Sequence, residues 1–261
     1  MHLTGGISLA FFFLFPLFLR ALGSSEATIG LVVGLGQAAS VAARPAVGVL
    51  LDRVPHRRVL LVCGVLNVLS CLPYLALDRL GPALLLATVV HFVIWGALFA
   101  GYFTYASDLV PAHRRAEGIA VFGVAGVLSN GFGPAIGEWV QAHAGWHAFY
   151  LVAAAFGVVS IGVTAILPAR TRVRTPAAVG VAGALRALHG AGIGRVFLAM
   201  LLFGAGVDVA LFYVAPFTRT VRLERAAPFF AAYMSAAVST TIVSAALGPT
   251  PGMVSKTVTA A

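Results

Sequence analysis

Along the chain, long apolar runs alternate with short charged punctuation. Bounding each run by its nearest charges gives eight stretches, approximately 3–19, 27–47, 59–77, 82–106, 118–138, 147–167, 195–217 and 227–247. Each approaches the ~20 residues that an α-helix needs to cross ~30 Å of hydrocarbon. The pattern predicts an all-α, polytopic membrane helix bundle, with one charge, Asp208, inside the seventh stretch. The first stretch begins almost at Met1, but no small-residue cleavage motif follows Phe18-Leu19-Arg20, so it is read as a span.

Composition agrees. Of 261 residues 60% are hydrophobic and 10% charged, and the mean hydropathy is +0.99, against roughly a quarter charged in ordinary soluble domains. The two cysteines, Cys63 and Cys71, share one apolar segment and read as buried small hydrophobes. The net charge of +9 does not point to nucleic acid, because the basic residues sit in short clusters between apolar runs. That placement is the one expected of topology signals. With the N-terminus inside, the cytoplasmic side receives Arg44, Arg53, Arg57, Arg58, Arg114, Arg115, Arg170, Arg172, Arg174, Arg186, Arg195 and Lys256. The other side receives Arg20, Arg79, Arg219, Arg222 and Arg225, so both termini are expected in the cytoplasm of a cell-membrane protein. Loop lengths divide the chain into a six-helix bundle over 1–167, a cytoplasmic linker over 168–194, and an incomplete second bundle over 195–261.

After the second stretch the chain reads Gly48-Val-Leu-Leu-Asp52-Arg53-Val-Pro55-His56-Arg57-Arg58. This resembles the signature G-x-L-a-D-R-x-G-R-(K/R) of the major facilitator superfamily, with Pro55 in place of the usual Gly and His56 in place of the usual Arg. A related segment, Asp108-Leu-Val-Pro111-Ala-His113-Arg114-Arg115-Ala-Glu117-Gly118, is similar to the family's D-l-v-P-x-x-R-R-g-e. The resemblance implies a cytoplasmic charge latch built from Gly48, Asp52, Arg53, Arg57, Arg58, Asp108, Arg114 and Arg115. In it, Asp108 would pair with Arg57 or Arg58, and Arg114 or Arg115 with Asp52. A plain topology-setting Arg cluster is the other account.

The fifth stretch resembles the family's antiporter motif, G-x-x-x-G-P-x-x-G-G. Gly133, Pro134 and Gly137 match, Ser129 stands at the first Gly, and Glu138 stands at the last. The resemblance implies export by exchange against protons, while small-residue helix packing explains the same composition. In the fourth stretch the family often has R-x-x-(Q/H)-G, but this chain reads Phe92-Val-Ile-Trp95-Gly96 and lacks the Arg. His91 is adjacent, about 100° away on a helix.

Candidate proton or substrate residues are Asp208, His91, Glu138, Asn130 and Gln37. Asp208 is the sharpest, because an acid at mid-membrane depth is costly and should face a cavity or a partner. Tyr102, Phe103 and Tyr105 read as packing or interface aromatics. His143-x-x-x-His147 falls in an expected outer loop without a third ligand. No phosphate loop, dinucleotide fingerprint or nucleophile elbow appears, so no enzyme activity, cofactor or resident metal is expected.

A complete family member has twelve helices and a second latch after the eighth. The chain over 235–261 has neither Asp nor Arg, so a six-helix half plus about two helices of the second is expected. Two functions follow. One is a secondary transporter in the lipid bilayer, moving a small solute by alternating access, with protons as coupling ion and efflux as direction. The other is a transport-inactive membrane remnant of such a protein.

Overall fold

The computed structural model describes residues 1–111, 114–168, 194–223 and 225–247. The expected linker, with Arg170, Arg172, Arg174 and Arg186, therefore lies outside the described residues, as do His113, Lys256 and the side chains of Arg115 and Arg195.

The chain forms α1 (His2–Ala10), a 3-10 turn over Phe11–Leu14, α2 (Phe15–Ala21), α3 (Glu26–Arg53), α4 (His56–Cys71) with a 3-10 extension Leu72–Leu75, and α5 (Pro82–Leu109). Then follow α6 (Arg115–Ile166), α7 (Gly194–Thr220) and α8 (Ala227–Leu247). Six stretches among the described residues are long and apolar enough to cross a membrane. One of them, Glu117–Ile166, is 50 residues long, too long for a single crossing. Gly145 divides it, with φ 76° and ψ −175°, a backbone state that glycine adopts without Cβ strain. The expected loop between the fifth and sixth spans is thus a kink, and His143 and His147 lie on helix either side of it. His143 stacks on Trp139, and the described residues hold no cluster of three metal-ligand side chains.

Several expected helix ends move outward. Ser25 caps α3, its Oγ accepting from the Thr28 amide at 3.3 Å. At the other end α3 continues past Arg44 and Pro45 to Arg53, so Asp52 and Arg53 ride on its last turn. A helix end tolerates charges that a mid-membrane turn does not, so charge alone marks the boundary too early.

The bundle is organised around α1. Along the first arm of α6, a Cβ on Gly126 would meet the His2 ring at 3.0 Å, one on Gly133 the Ala10 Cβ at 2.6 Å, and one on Gly137 the Leu14 side chain at 3.2 Å. The second arm runs back along the same helix. Phe149 packs on Phe11, the Ala153 carbonyl accepts from Ser8 at 2.7 Å, and Ser160 donates to Met1 O at 3.1 Å. With no hydrophobic drive between helices in lipid, such close backbone approach and interhelical bonding hold the elements together. Phe11, Phe12, Phe15, Phe92, Phe149, Phe212 and Phe230 are fully buried within this core.

Candidate functional site

A cavity of about 430 Å³ lies between α1, α3, α5, the first arm of α6, and α7. That volume suits a small organic solute. Its α3 wall carries Gln37, Ser40 and Arg44, three polar positions at i, i+3 and i+7 and so on one helix face. Opposite them, α7 contributes Gly204, Val207, Asp208 and Leu211, and α6 contributes Ser129 and Asn130. The α5 wall is aromatic, with Trp95, Phe99, Tyr102 and Phe103.

The structure therefore gathers Asp208, Gln37 and Asn130 into one site. Arg44, read from sequence as a topology charge, belongs to the same cavity, and its charge is felt at the Asp208 carboxyl. Its spacing from Gln37 and Ser40 was the available signal. Tyr102 and Phe103 pack on the His2 ring and also line the cavity, whereas the Tyr105 hydroxyl donates to Pro168 O at 2.9 Å. Gly96 allows α5 to approach α3, since a Cβ there would meet Ser40 Oγ at 2.3 Å.

Two candidates lie elsewhere. His91 is fully buried, stacked on Phe12 with centroids 3.5 Å apart, and its Nδ1 lies 2.8 Å from Ser70 Oγ. Helical rotation turns it away from the Trp95–Gly96 face and into the aromatic core. Glu138 is also buried, at the opposite end of α6's first arm from Arg115. Its carboxylate accepts from the amides of Ala226 (2.9 and 3.1 Å) and Ala227 (3.0 Å), with Arg219 Nη2 3.9 Å away. An acid is favourable there, because the first amides of α8 have no partner within their own helix.

The charged motifs at the Met1 end are rearranged relative to expectation. Asp108 pairs with His56, Nδ1 to Oδ2 at 2.7 Å, rather than with Arg57 or Arg58. The other ring nitrogen, Nε2, lies 3.0 Å from the Leu51 carbonyl. The ring thus bridges the last turn of α5 to the last turn of α3. Arg57 instead donates to the Thr164 carbonyl at 3.3 Å and to that of Ala165, closing the C-terminus of α6, where cations are favoured. Arg114 makes a two-pronged pair with Glu117, at 2.9 and 2.7 Å, and the other expected partner of Asp52, the Arg115 side chain, lies outside the described residues. Arg53 and Arg58 are exposed. A Cβ on Gly48 would meet nothing within 4 Å among the described residues.

The antiporter-like residues do have a packing role here. Gly133 and Gly137 admit α1 and Phe149, and the Ser129 hydroxyl bonds α1 through Leu3 O at 3.0 Å. Pro134 has no N–H to give the carbonyl of Asn130, four residues back beside the cavity.

Two solved structures have the same fold. A peptide transporter POT in complex with alafosfalin is 19% identical, with a TM-score of 0.53, over 77% of this chain and 44% of that one. A D-xylose-proton symporter is 14% identical, with a TM-score of 0.58, over 92% of this chain and 65% of that one. The chain thus spans less than two thirds of either. No curated protein matches it. The sequence profile of the Major Facilitator Superfamily matches residues 2–259. With nearly the whole chain inside that match, and with an all-helical bundle around a charged central cavity, the protein belongs to the Major Facilitator Superfamily.

Proposed function

We propose that the chain is a secondary transporter, or the solute-binding part of one, moving a small solute across the cell membrane by alternating access with protons as coupling ion. The carrying observation is the cavity itself, which an acid and a base on apolar helices line together. Charges at such depth are retained where they line a water-filled path. The D-xylose-proton symporter that shares the fold supports protons as the coupling ion. Resemblance to the antiporter motif favours exchange, hence efflux.

In this reading the 1–167 bundle and the 195–261 segment move against each other around the cavity. The His56–Asp108 latch works on the cytoplasmic side, and the Glu138 contact closes the outer side. Arg imbalance supports cytoplasmic termini.

The test is flux. Reconstituted chain in vesicles with a trapped pH dye should show proton counterflow when a transported solute is added outside, and Asp208→Asn should abolish the counterflow while leaving insertion intact. Reporter fusions at Arg57 and Arg114 should report the cytoplasm, and fusions at Arg79 and His143 the opposite side. Absence of solute-linked proton movement with a broad solute panel favours the transport-inactive remnant instead.

A further inference from the structure

Arg44 and Asp208 come from different parts of the chain, α3 and α7, yet line the same cavity. Among the described residues neither forms an ion pair, although Arg44 is near enough for its charge to act on the carboxyl of Asp208. The fixed charges of the lining therefore sum to zero but are held apart. A solute carrying one charge would compensate one pole and leave the other without its counter-charge, a difference that works as discrimination. A solute carrying both charges compensates both.

The remaining walls fit the same occupant. Gln37, Ser40 and Asn130 supply neutral hydrogen-bonding groups near the poles. Phe13, Trp95 and Phe99 offer an apolar aromatic surface for a side chain.

We propose that the cavity binds an amino-acid-like zwitterion with an apolar side chain, its carboxylate on Arg44 and its ammonium on Asp208. This rests on the cavity being the solute site. A guanidinium meets a carboxylate with paired N–H donors, which fixes the orientation of the solute. The ammonium is free to donate to Asp208 and to Asn130. Arg44 and Asp208 are then the specificity-determining pair, and bringing them together on one solute draws α3 and α7 toward each other.

The experiment uses the full chain in detergent with Trp139 and Trp146 replaced by Phe, so that fluorescence reports Trp95. Three probes are titrated: L-phenylalanine, its N-acetyl derivative (an anion) and its methyl ester (a cation). L-Phenylalanine should change the signal saturably, and each blocked form should bind at least tenfold more weakly. Arg44→Gln should weaken L-phenylalanine and the anion tenfold or more while sparing the ester. Asp208→Asn should weaken L-phenylalanine and the ester while sparing the anion. This crossed pattern is not produced by a merely structural role, and the three-probe comparison on the parent protein stands even if a variant fails to fold. Equal binding of all three probes, or binding of the ester alone, overturns the zwitterion assignment and leaves a solute cavity of other specificity. No response to any probe overturns the solute-cavity reading as well.

Discussion

The carboxylate of Glu138 accepts the amides of both Ala226 and Ala227, so a residue of α6 caps a helix 88 positions further along the chain. The cap joins α6 to the start of α8 at the end away from Met1. Replacing Glu138 with Ala strands those amides and should cost about 1–3 kcal/mol, the range for unsatisfied buried donors. Glu138→Gln keeps one acceptor oxygen and should lose less. Thermal unfolding in detergent measures both, and equal midpoints for parent and Ala variant would show that the contact contributes nothing to stability.

The His56 ring should hold the Met1 ends of α3, α4 and α5 together. Its Nδ1 lies 2.7 Å from Asp108 Oδ2 and its Nε2 3.0 Å from the Leu51 carbonyl, so His56→Ala removes both contacts at once. The substitution should cost about 1–3 kcal/mol, the range for lost buried polar contacts. Cys63, buried on the same helix, is the reporter. Its maleimide labelling at fixed pH should rise in His56→Ala. Unchanged labelling together with an unchanged unfolding midpoint would show that the ring does not hold this end.

Gly133 and Gly48 should respond oppositely to the same change. A methyl at Gly133 meets the Ala10 Cβ at 2.6 Å and the Ile7 carbonyl oxygen at 3.0 Å, neither of which can yield without moving α1. Gly133→Ala should therefore destabilise by about 1–3 kcal/mol, the usual cost of overpacking. Gly48→Ala meets nothing within 4 Å and should be neutral or slightly stabilising. Comparison of unfolding midpoints checks both, and a neutral Gly133→Ala would contradict the close approach of α1 and α6.

Arg57 should act as a helix cap rather than as an ion-pair partner. Arg57→Ala should cost about 1 kcal/mol through the carbonyls of Thr164 and Ala165. Neutralising Asp108 in the Arg57→Ala background should cost as much as it does alone, because the two sites share no bond. A coupling energy above about 0.5 kcal/mol in that double-mutant cycle would restore the sequence-based pairing.

The division between sequence and tertiary structure follows from what each kind of pattern encodes. Apolar run length marks which stretches can cross a membrane, so the all-helical class and the mid-helix place of Asp208 were legible, while the helix ends were not. The motifs around Asp52, Asp108 and Gly133 were enough to identify the superfamily. Partner choice was not legible, because it depends on distances between helices far apart in sequence. Asp108 met His56 and not Arg57, since Arg57 reaches the end of α6 instead. Arg44 read as a topology charge until packing placed α3 against α5 and opposite α7, and His91 read as a coupling candidate until rotation on α5 put it against Phe12. Hydropathy reports whether a side chain tolerates lipid; only the rotation and register of packed helices decide which polar groups share a cavity and which are enclosed in the core.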